Sequence, residues 1–318
     1  MFTTTRKSAI LNTCCLNDVL HGVNISINNN VVELDYPFKD PHKFVNIVGT
    51  CNGLVCIAID EDRIVVIWNP STRKSHILPY SGKNPLWSYA WYVSYGFGCI
   101  ESNDDYKVVE ISCRFEHTRN DFSETCIRIC SLKSGKWKDI NGDFRFVCPL
   151  DEPGKFSNGA LHWAFMAPSK DPMSNYSWNI FSVDLANETC GEVLQPVYDE
   201  GHTDLTLGTL REWLCVLCNY NDIRADVWVM KVYGVKDSWT KLVSVPCLSH
   251  PRTYQFPVPL CVSSDGKILL HIGKKLIVYD LKSCSFSDDR NFDECYEVCT
   301  FVDSLVSPPM PISGLGDR

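Results

Sequence analysis

Short apolar runs alternate with turn-forming residues along most of the chain. The segments "IVVIW" at 64–68, "ILLHI" at 268–272 and "KLIVYD" at 275–280 are examples. Runs of this length that are rich in Val, Ile and aromatic residues and bounded by Gly, Asn or Asp are typical of β-strands. Only residues 8–20 show a weak helical periodicity. The pattern therefore predicts an all-β chain built from antiparallel hairpins.

One turn motif recurs at the ends of these strands. An apolar strand is followed by Asn, Asp or Ser, then Pro or Leu, then any residue, and then Ser, Thr or Asn. Asn, Asp and Ser side chains open turns because they accept hydrogen bonds from backbone N–H groups two residues on. A degenerate fifth copy occupies residues 233–238. The motif predicts equivalent hairpin turns that begin at Asn69, Ser131, Asp184 and Asp280.

The spacing of the motif predicts the architecture. Successive copies lie about 50 to 60 residues apart, which suits one small antiparallel sheet per copy and is typical of propellers. We therefore expect a kelch-like β-propeller in which five repeats are visible. Strands near residues 31–38 and 295–306 are expected to build a sixth blade from both termini, since such closure removes exposed sheet edges.

Composition narrows the function classes. The net charge is −8 and no basic stripe is present, which argues against a nucleic-acid partner. No apolar run is long enough for a signal peptide or a membrane span, so we expect no membrane partner. The 17 Cys are odd in number and irregularly spaced. They favour a reducing compartment, cytoplasmic and/or nuclear, with Cys used as small buried residues.

Residues that could carry chemistry have simpler explanations. Cys215 and Cys218 have the Cys-x-x-Cys spacing of zinc sites, but they fall in a strand, where residues three apart face opposite sides. His162 and His271 also lie inside strands and show no partner pattern. We therefore predict no metal, no cofactor and no catalytic residue. The alternative is an enzyme or glycan-binding propeller, for which side chains converging in an axial pocket would be the sign.

Two connections between repeats are rich in aromatic residues and are candidate protein-binding segments. They are "NPLWSYAWYV" at 84–93 and "CLSHPRTYQFPVP" at 247–259. Aromatic and Arg side chains often dominate protein interfaces, although both loops could equally fold back onto the blades. The candidate target-binding residues are Trp87, Tyr89, Trp91, Tyr92, His250, Arg252, Tyr254 and Phe256.

Five blocks of the sequence resemble a known family. "GTCNGLVCIAIDEDRIVVIWNPSTRKSHILP", "SYGFGCIESNDDYKVVEI", "SNGALHWAF", "IFSVDLANETCGEV" and "DVWVMKVYGVKDSWTKLVSV" are similar, in this order, to the plant F-box-associated domain. This is the kelch-like region of F-box proteins. The resemblance implies a non-catalytic, substrate-recognition module of an SCF-type ubiquitin ligase, whose partner is a target protein to be ubiquitinated.

The resemblance also sets the expected domain boundaries. The family places an F-box before this region, and no such segment is visible in these residues. We therefore expect Skp adaptor and cullin binding only if an F-box lies upstream. The predicted domains are an N-terminal linker at 1–30 that would follow the missing F-box, the propeller at 31–306 and a disordered tail at 307–318.

Overall fold

The computed structural model describes most of the chain. The described residues are 2–5, 10–21, 31–59, 64–82, 91–115, 122–144, 147–150, 153–168, 176–202, 204–220, 223–246, 257–286 and 297–309. Within these ranges the fold is all-β, with 24 strands and one α-helix. No described helix is long and apolar enough to cross a membrane.

The strands follow the predicted apolar runs. In chain order they are β1 (Phe2–Thr5), β2 (Ile10–Thr13), β3 (Val32–Leu34), β4 (Val45–Cys51), β5 (Leu54–Ile59), β6 (Ile64–Trp68), β7 (Ser75–Ile77), β8 (Trp91–Ile100), β9 (Asp105–Phe115), β10 (Phe122–Ser131), β11 (Lys136–Ile140), β12 (Lys155–Ser157), β13 (Ala160–Pro168), β14 (Tyr176–Asp184), β15 (Thr189–Val193), β16 (Asp204–Leu210), β17 (Trp213–Tyr220), β18 (Arg224–Met230), β19 (Trp239–Pro246), β20 (Pro257–Val262), β21 (Lys267–Ile272), β22 (Lys275–Asp280), β23 (Ser285–Phe286) and β24 (Glu297–Cys299). The helix α1 is Leu16–His21.

The described strands form six four-stranded antiparallel sheets, as a β-propeller requires. Five sheets take four consecutive strands: sheet B is β4–β7, sheet C is β8–β11, sheet D is β12–β15, sheet E is β16–β19 and sheet F is β20–β23. Sheet A has the order β24-β1-β2-β3. The predicted all-β propeller with a blade built from both termini is therefore confirmed.

Sheet A shows where the N-terminal residues go. Phe2 pairs with both Thr13 and Cys299, so β1 lies between β2 and β24. Residues 2–5 and 10–13 are thus strands of a blade rather than part of a linker. Both sequences are short; β1 pairs with β2 and β24, and β2 pairs with β1 and β3. The helix lies at 16–21 and not across 8–20.

The chain divides into two compact units. The first unit is Met1–Asp35, Lys39–His42 and Val193–Thr300, and it contains sheets A, E and F. The second unit is Tyr36–Phe38, Lys43–Glu192 and Phe301–Arg318, and it contains sheets B, C and D. Each unit therefore holds three neighbouring blades.

Each unit buries its own apolar core between the faces of adjacent sheets. In the second unit, Ile67 and Phe97 belong to one cluster and Ile111 and Trp163 to another, all almost fully buried. In the first unit, Val19 of α1 packs against Leu269, Leu276 and Val278 of sheet F. Burying a side chain of this size stabilises a fold by about 1.5–3 kcal/mol.

Every sheet with consecutive strands has two distinct ends. We call one end of the sheet the turn end: there, one turn connects the first strand to the second, and another connects the third strand to the fourth. Backbone bonds join these two turns: Leu132 N donates to Tyr106 O at 2.9 Å, and Leu185 N donates to Gly159 O at 3.1 Å. At the opposite connection end, the second strand meets the third and the chain passes to the next sheet.

Candidate functional site

The four predicted turn residues occupy the same place in four sheets. Asn69 follows β6, and Ser131, Asp184 and Asp280 end β10, β14 and β22. Each therefore begins the connection from the third strand to the fourth, at the turn end. The degenerate copy at 233–238 lies in the corresponding connection, between β18 and β19.

The side chains of these residues cap their own turns. In every case a side-chain oxygen accepts a hydrogen bond from a backbone N–H two or three residues on, which is the chemistry expected of such turns. The bonds are Ser71 N to Asn69 Oδ1 at 2.8 Å, Ser134 N to Ser131 Oγ at 3.3 Å, Asn187 N to Asp184 Oδ1 at 2.7 Å and Lys282 N to Asp280 Oδ1 at 2.8 Å.

The fifth residue of each turn adopts a left-handed conformation, which the motif did not reveal. The φ angles are +59° at Arg73, +63° at Gly135, +54° at Glu188 and +51° at Cys284. This region is open to Gly and unfavourable for most other residues. Since only one of these four residues is Gly, the left-handed conformation could not be predicted from the sequence.

Asn69 also holds a segment that is distant in sequence. We call residues 301–309 the C-terminal strap; it has no helix or strand. Asn69 Nδ2 donates to Ser304 O at 3.0 Å and to Val306 O at 2.6 Å, and Ser304 Oγ donates to Asn52 O at 2.7 Å. Ser71 Oγ lies 3.1 Å from Asp303 Oδ1. The strap is therefore bound across the turn end of sheet B.

Most of the predicted target-binding residues lie outside the described residues: Trp87, Tyr89, His250, Arg252, Tyr254 and Phe256. Trp91 and Tyr92 are described as the first residues of β8, where they pair with Arg114 and Cys113. They therefore belong to a strand rather than to the connection before it. The half-buried Tyr92 has polar or ring contacts within the fold.

A surface at the connection end of sheet E, in the first unit, carries residue types that are common in protein interfaces. Its centre is an ion-pair network. Arg224 Nη2 lies 2.6 Å from Asp199 Oδ2, and Arg224 Nε lies 3.2 Å from Asp226 Oδ1. Lys241 Nζ lies 3.1 Å from Asp199 Oδ2 and 2.7 Å from Asp226 Oδ2.

Aromatic rings surround this network. The Arg224 guanidinium lies 4.2 Å from the centre of the Tyr220 ring, and Lys241 Nζ lies 5.3 Å from that of Trp228. Tyr198 meets Trp228 edge to face at 6.3 Å. Cation–aromatic contacts of this geometry contribute about 0.5–1 kcal/mol each at exposed sites. The network and the rings together fix the Arg224 side chain in one position.

Two apolar side chains stand out from the same surface. Val197 is 77% exposed and Ile223 is 74% exposed. Val197 lies two residues before Asp199, and Ile223 directly precedes Arg224, so both flank the Arg224–Asp199 pair. We call Val197, Asp199, Tyr220, Ile223 and Arg224 the sheet E patch. The patch was not predicted from the sequence, because residues 194–203 contain neither Trp nor Arg.

The protonation states of this network are fixed by its contacts. Burial favours neutral Asp226, but hydrogen bonds from Lys241 and Ser244 and the positive charges of Lys241 and Arg224 outweigh it, so the pKa of Asp226 is lowered. The hydrogen bond to Asp226 raises the pKa of Lys241. Burial raises the pKa of Tyr220. Asp226 and Lys241 therefore remain ionised near neutral pH. The two acidic and two basic side chains of the network balance in formal charge.

A second ion-pair cluster, in sheet C, has a different role. Arg128 Nε lies 2.8 Å from Asp139 Oδ1, and Arg128 also donates to the carbonyl of Ser81. Trp137 Nε1 donates to Pro79 O at 2.7 Å. These bonds attach the incoming chain to the blade, and Arg128 is buried, whereas the Arg224 side chain is 40% exposed. Of these two ion-pair clusters, the one at sheet E leaves its Arg side chain available to a partner.

The residues weighed for metal chemistry are part of the core. Cys215 and Cys218 are both buried in β17. The fully buried His162 has Nδ1 3.0 Å from Lys155 O, and burial lowers its pKa to about 4. His271 lies in β21. Among the described residues, no group of three or more His, Cys, Asp or Glu side chains could hold a metal ion.

Comparison with known proteins places this architecture in a family. The family model "F-box associated beta propeller domain" matches residues 7–308. The chain belongs to this F-box associated family. The F-box associated domain so defined begins at residue 7, before residue 31, and includes β2. It also includes residue 307, the predicted start of the tail.

Relatives of this F-box associated domain come from Arabidopsis thaliana. The F-box/kelch-repeat protein At3g23880 is 31% identical over 307 residues, which cover 94% of this chain and 77% of the relative. The F-box protein CPR1 is 30% identical over 317 residues, which cover 90% and 74%. Among solved structures, a chain of the nidogen/laminin complex matches with a TM-score of 0.52 over 91% of both chains at 10% identity, a likeness of fold alone.

Proposed function

We propose that this chain is the substrate-recognition module of an SCF-type ubiquitin ligase. Its family membership is the observation that carries this proposal, because its relatives are F-box proteins. In this role the chain catalyses nothing. It holds a target protein close to the site of ubiquitin transfer, and such proximity raises the effective concentration of the reactants. Adaptor and cullin binding would come from an F-box joined to it.

The sheet E patch is the proposed target-binding surface. It combines an Arg and a Tyr, which are common among interface residues that dominate binding energy, with two exposed aliphatic side chains. Its ion pairs preorganise Arg224, so little side-chain entropy would be lost when a target binds. Its charges cancel, which suits a target segment that is apolar with a few polar groups rather than a strongly charged one.

The test compares ubiquitination in cells that produce the chain fused behind an F-box. Ubiquitin-remnant peptides would be quantified for the unaltered fusion and for a double variant, Val197→Asp with Ile223→Asp. We expect the unaltered fusion to raise the abundance of ubiquitin-remnant peptides from a small set of proteins. In the double variant this increase should be at least about tenfold smaller, since losing interface anchors costs about 2 kcal/mol or more of binding free energy.

The matched control changes two exposed valines at the opposite end of the same sheet. Val232 and Val235 lie in the turn between β18 and β19 and are both exposed. The double variant Val232→Asp with Val235→Asp should leave the ubiquitinated set unchanged. Equal losses in both double variants would contradict the proposed surface, and the absence of any enriched protein with the unaltered fusion would contradict the proposed function. Melting temperatures within about 2 °C of the unaltered chain exclude misfolding as the cause.

We also propose that the chain works in a reducing compartment, the cytoplasm or the nucleus. The buried Cys51, Cys56 and Cys130 are not part of any disulfide in the described structure. Burial raises the pKa of Cys56, and also of Cys130, to about 12 in the latter case. Such thiols stay protonated and unreactive, in keeping with use as small core residues.

A further inference from the structure

Ser307 stands out on the C-terminal strap for its exposure and its partner. It is exposed, and Lys74 Nζ donates to its Oγ at 3.0 Å. Lys74 belongs to the turn that Asn69 opens, where Arg73 is also exposed. The Ser307 hydroxyl therefore points toward a basic stretch on sheet B rather than into open solvent.

The residue after Ser307 adds an independent observation. Pro308 follows it, and Ser307–Pro308 is the sole Ser-Pro or Thr-Pro pair in the 318-residue sequence, which contains 17 Pro. A Ser followed directly by Pro is the minimal substrate of proline-directed protein kinases. A basic side chain already in contact with the hydroxyl is the partner that a phosphate group would need.

We propose that Ser307 is a phosphorylation site for a proline-directed Ser/Thr kinase and that Lys74 holds the resulting phosphate. In the reaction, Ser307 Oγ attacks the γ-phosphorus of Mg-ATP, the bond to the bridging oxygen breaks, and ADP leaves. The hydroxyl proton passes to the kinase base. The product carries a phosphate of charge close to −2 where a neutral hydroxyl stood.

Phosphorylation would strengthen the strap. The uncharged hydroxyl accepts one bond from Lys74, whereas a phosphate has three acceptor oxygens and forms charge-assisted bonds to Lys74. Arg73 is the residue before Lys74 and is exposed, so it adds a second positive charge to this turn. Asp303 is the nearest acidic residue on the described strap and already pairs with Ser71. The added charge therefore favours the bound strap over the released one.

The strap must lift before the kinase can act. Pro308 is buried, and the carbonyls of Ser304 and Val306 are held by Asn69 Nδ2. A kinase active site needs an extended segment with its Pro accessible. The phosphorylation rate should therefore follow the fraction of molecules whose strap is released, and changes at Asn69 should alter that rate.

The first experiment measures phosphate incorporation into the full chain with a proline-directed kinase and Mg-ATP, with mass spectrometry to locate the site. Asn69→Asp keeps the acceptor that caps the turn but removes both bonds to the strap. We expect the rate at Ser307 to rise by about fivefold to 25-fold, because two bonds are lost and each one weakens the bound state by about a factor of five. Asp184→Asn makes the reciprocal change in sheet D and should leave the rate unchanged.

The second experiment measures the melting temperature before and after phosphorylation. We expect a rise of about 1–3 °C in the unaltered chain and no rise in Lys74→Met. Four results would overturn the proposal. The first is no phosphate at Ser307 even in Asn69→Asp while a peptide of residues 301–313 is phosphorylated, and the second is equal rates in the unaltered chain and Asn69→Asp. The third is the same shift in melting temperature in Lys74→Met. The fourth is failure of the kinase to phosphorylate the control peptide, since Ser307 would then lack a usable kinase sequence.

Discussion

At the residue scale, Asn69 explains why one turn of the repeated set carries an amide. Asp184 and Asp280 accept backbone hydrogen bonds within their turns, and a carboxylate is sufficient for that. Ser131 accepts in the same way, and its hydroxyl also donates to Asp105 Oδ2 at 2.7 Å, but it does not reach the strap. Asn69 accepts through Oδ1 and donates through Nδ2 to the strap, and it is fully buried. A carboxylate at this position could not donate and would face two carbonyl oxygens.

The left-handed residue of the same turn leads to a stability prediction. Arg73 has φ +59° and an exposed side chain, so Arg73→Gly should remove backbone strain without loss of packing. We expect the free energy of unfolding to rise by about 0.5–1 kcal/mol, measured by urea denaturation. Lys74→Gly is the control; Lys74 has a negative φ, so glycine there should lower stability. A loss of stability in Arg73→Gly would contradict this account.

His162 should make the stability depend on pH. Its pKa is lowered to about 4 in the folded protein because burial disfavours the charged ring. His162 in the unfolded chain binds a proton near pH 6.5, whereas in the folded chain it does not. Its contribution to the free energy of unfolding is therefore complete above pH 6.5 and is lost as the pH falls to about 4. The free energy lost over this range is about 3 kcal/mol.

The measurement is urea unfolding of the unaltered chain and of His162→Gln at pH 7.5, 6, 5 and 4.5. The variant lacks the titrating group, so its free energy of unfolding should fall less steeply as the pH is lowered. The other titratable groups are the same in both proteins and contribute equally to the two curves. Parallel curves for the two proteins would show that His162 is protonated in the fold or accessible to solvent.

At the element scale, the same two-residue turn serves two sheets in different surroundings. Asn52–Gly53 joins β4 to β5 and Asn158–Gly159 joins β12 to β13, and all four residues have positive φ. This is the geometry of a type I′ hairpin turn, which favours Asn-Gly. Only the first of the two turns lies under the strap.

Comparing substitutions at Gly53 and Gly159 separates the contribution of the strap to stability from that of the hairpin turn. A Cβ at Gly53 would lie 2.2 Å from Ser304 Oγ, whereas a Cβ at Gly159 would meet nothing within 4 Å. Both glycines have similar positive φ, so the strain on the hairpin should be alike. We expect Gly159→Ala to lower the free energy of unfolding by about 1 kcal/mol, and Gly53→Ala to lower it by about 1–2 kcal/mol more.

Thermal and urea unfolding of both variants checks this expectation. Limited proteolysis should also cut the strap of Gly53→Ala faster than that of Gly159→Ala, because the added methyl group displaces Ser304. Equal destabilisation of the two variants would mean that the strap adapts without cost.

At the scale of the whole molecule, the long connections gather at one end of their sheets while the opposite end has short turns. The two aromatic-rich connections and residues 194–203 all lead from one sheet to the next, at the connection end. Variable loops on a rigid scaffold are common sites of recognition. The strap, by contrast, occupies the turn end of its own sheet, sheet B.

The cysteine prediction also belongs to the whole chain. We expect titration of the denatured protein, prepared without reductant but under inert gas, to find nearly all 17 thiols. The reason is that Cys serves here as a small apolar residue in strands, as Cys56 and Cys130 do in the cores of the second unit. A titre lower by several pairs of thiols would indicate disulfides and would contradict the reducing compartment.

Local patterns were sufficient for much of the fold. Strands such as β6 and β22 were predictable because side chains in a strand alternate and because Asn, Asp and Ser open turns through bonds to their own backbone. The repeat length then identified the propeller. The weak strand β1 was not predictable, since β24, almost 300 residues away, supplies one of its two sets of strand partners. Its neighbour β2 pairs with β1 and β3 and completes the same sheet.

What only the tertiary structure decided is the arrangement of residues that are far apart in sequence. The sheet E patch needs the segment at 194–203 to meet the β17–β18 hairpin, and no local pattern encodes the 2.6 Å contact between Asp199 and Arg224. The same holds for the strap: the sequence determined that Asn69 opens a turn, and the fold determined that its amide would hold Ser304, more than 200 residues later. Local hydrogen bonding can be inferred from neighbouring residues, whereas long-range contacts depend on how the blades bring chain segments together.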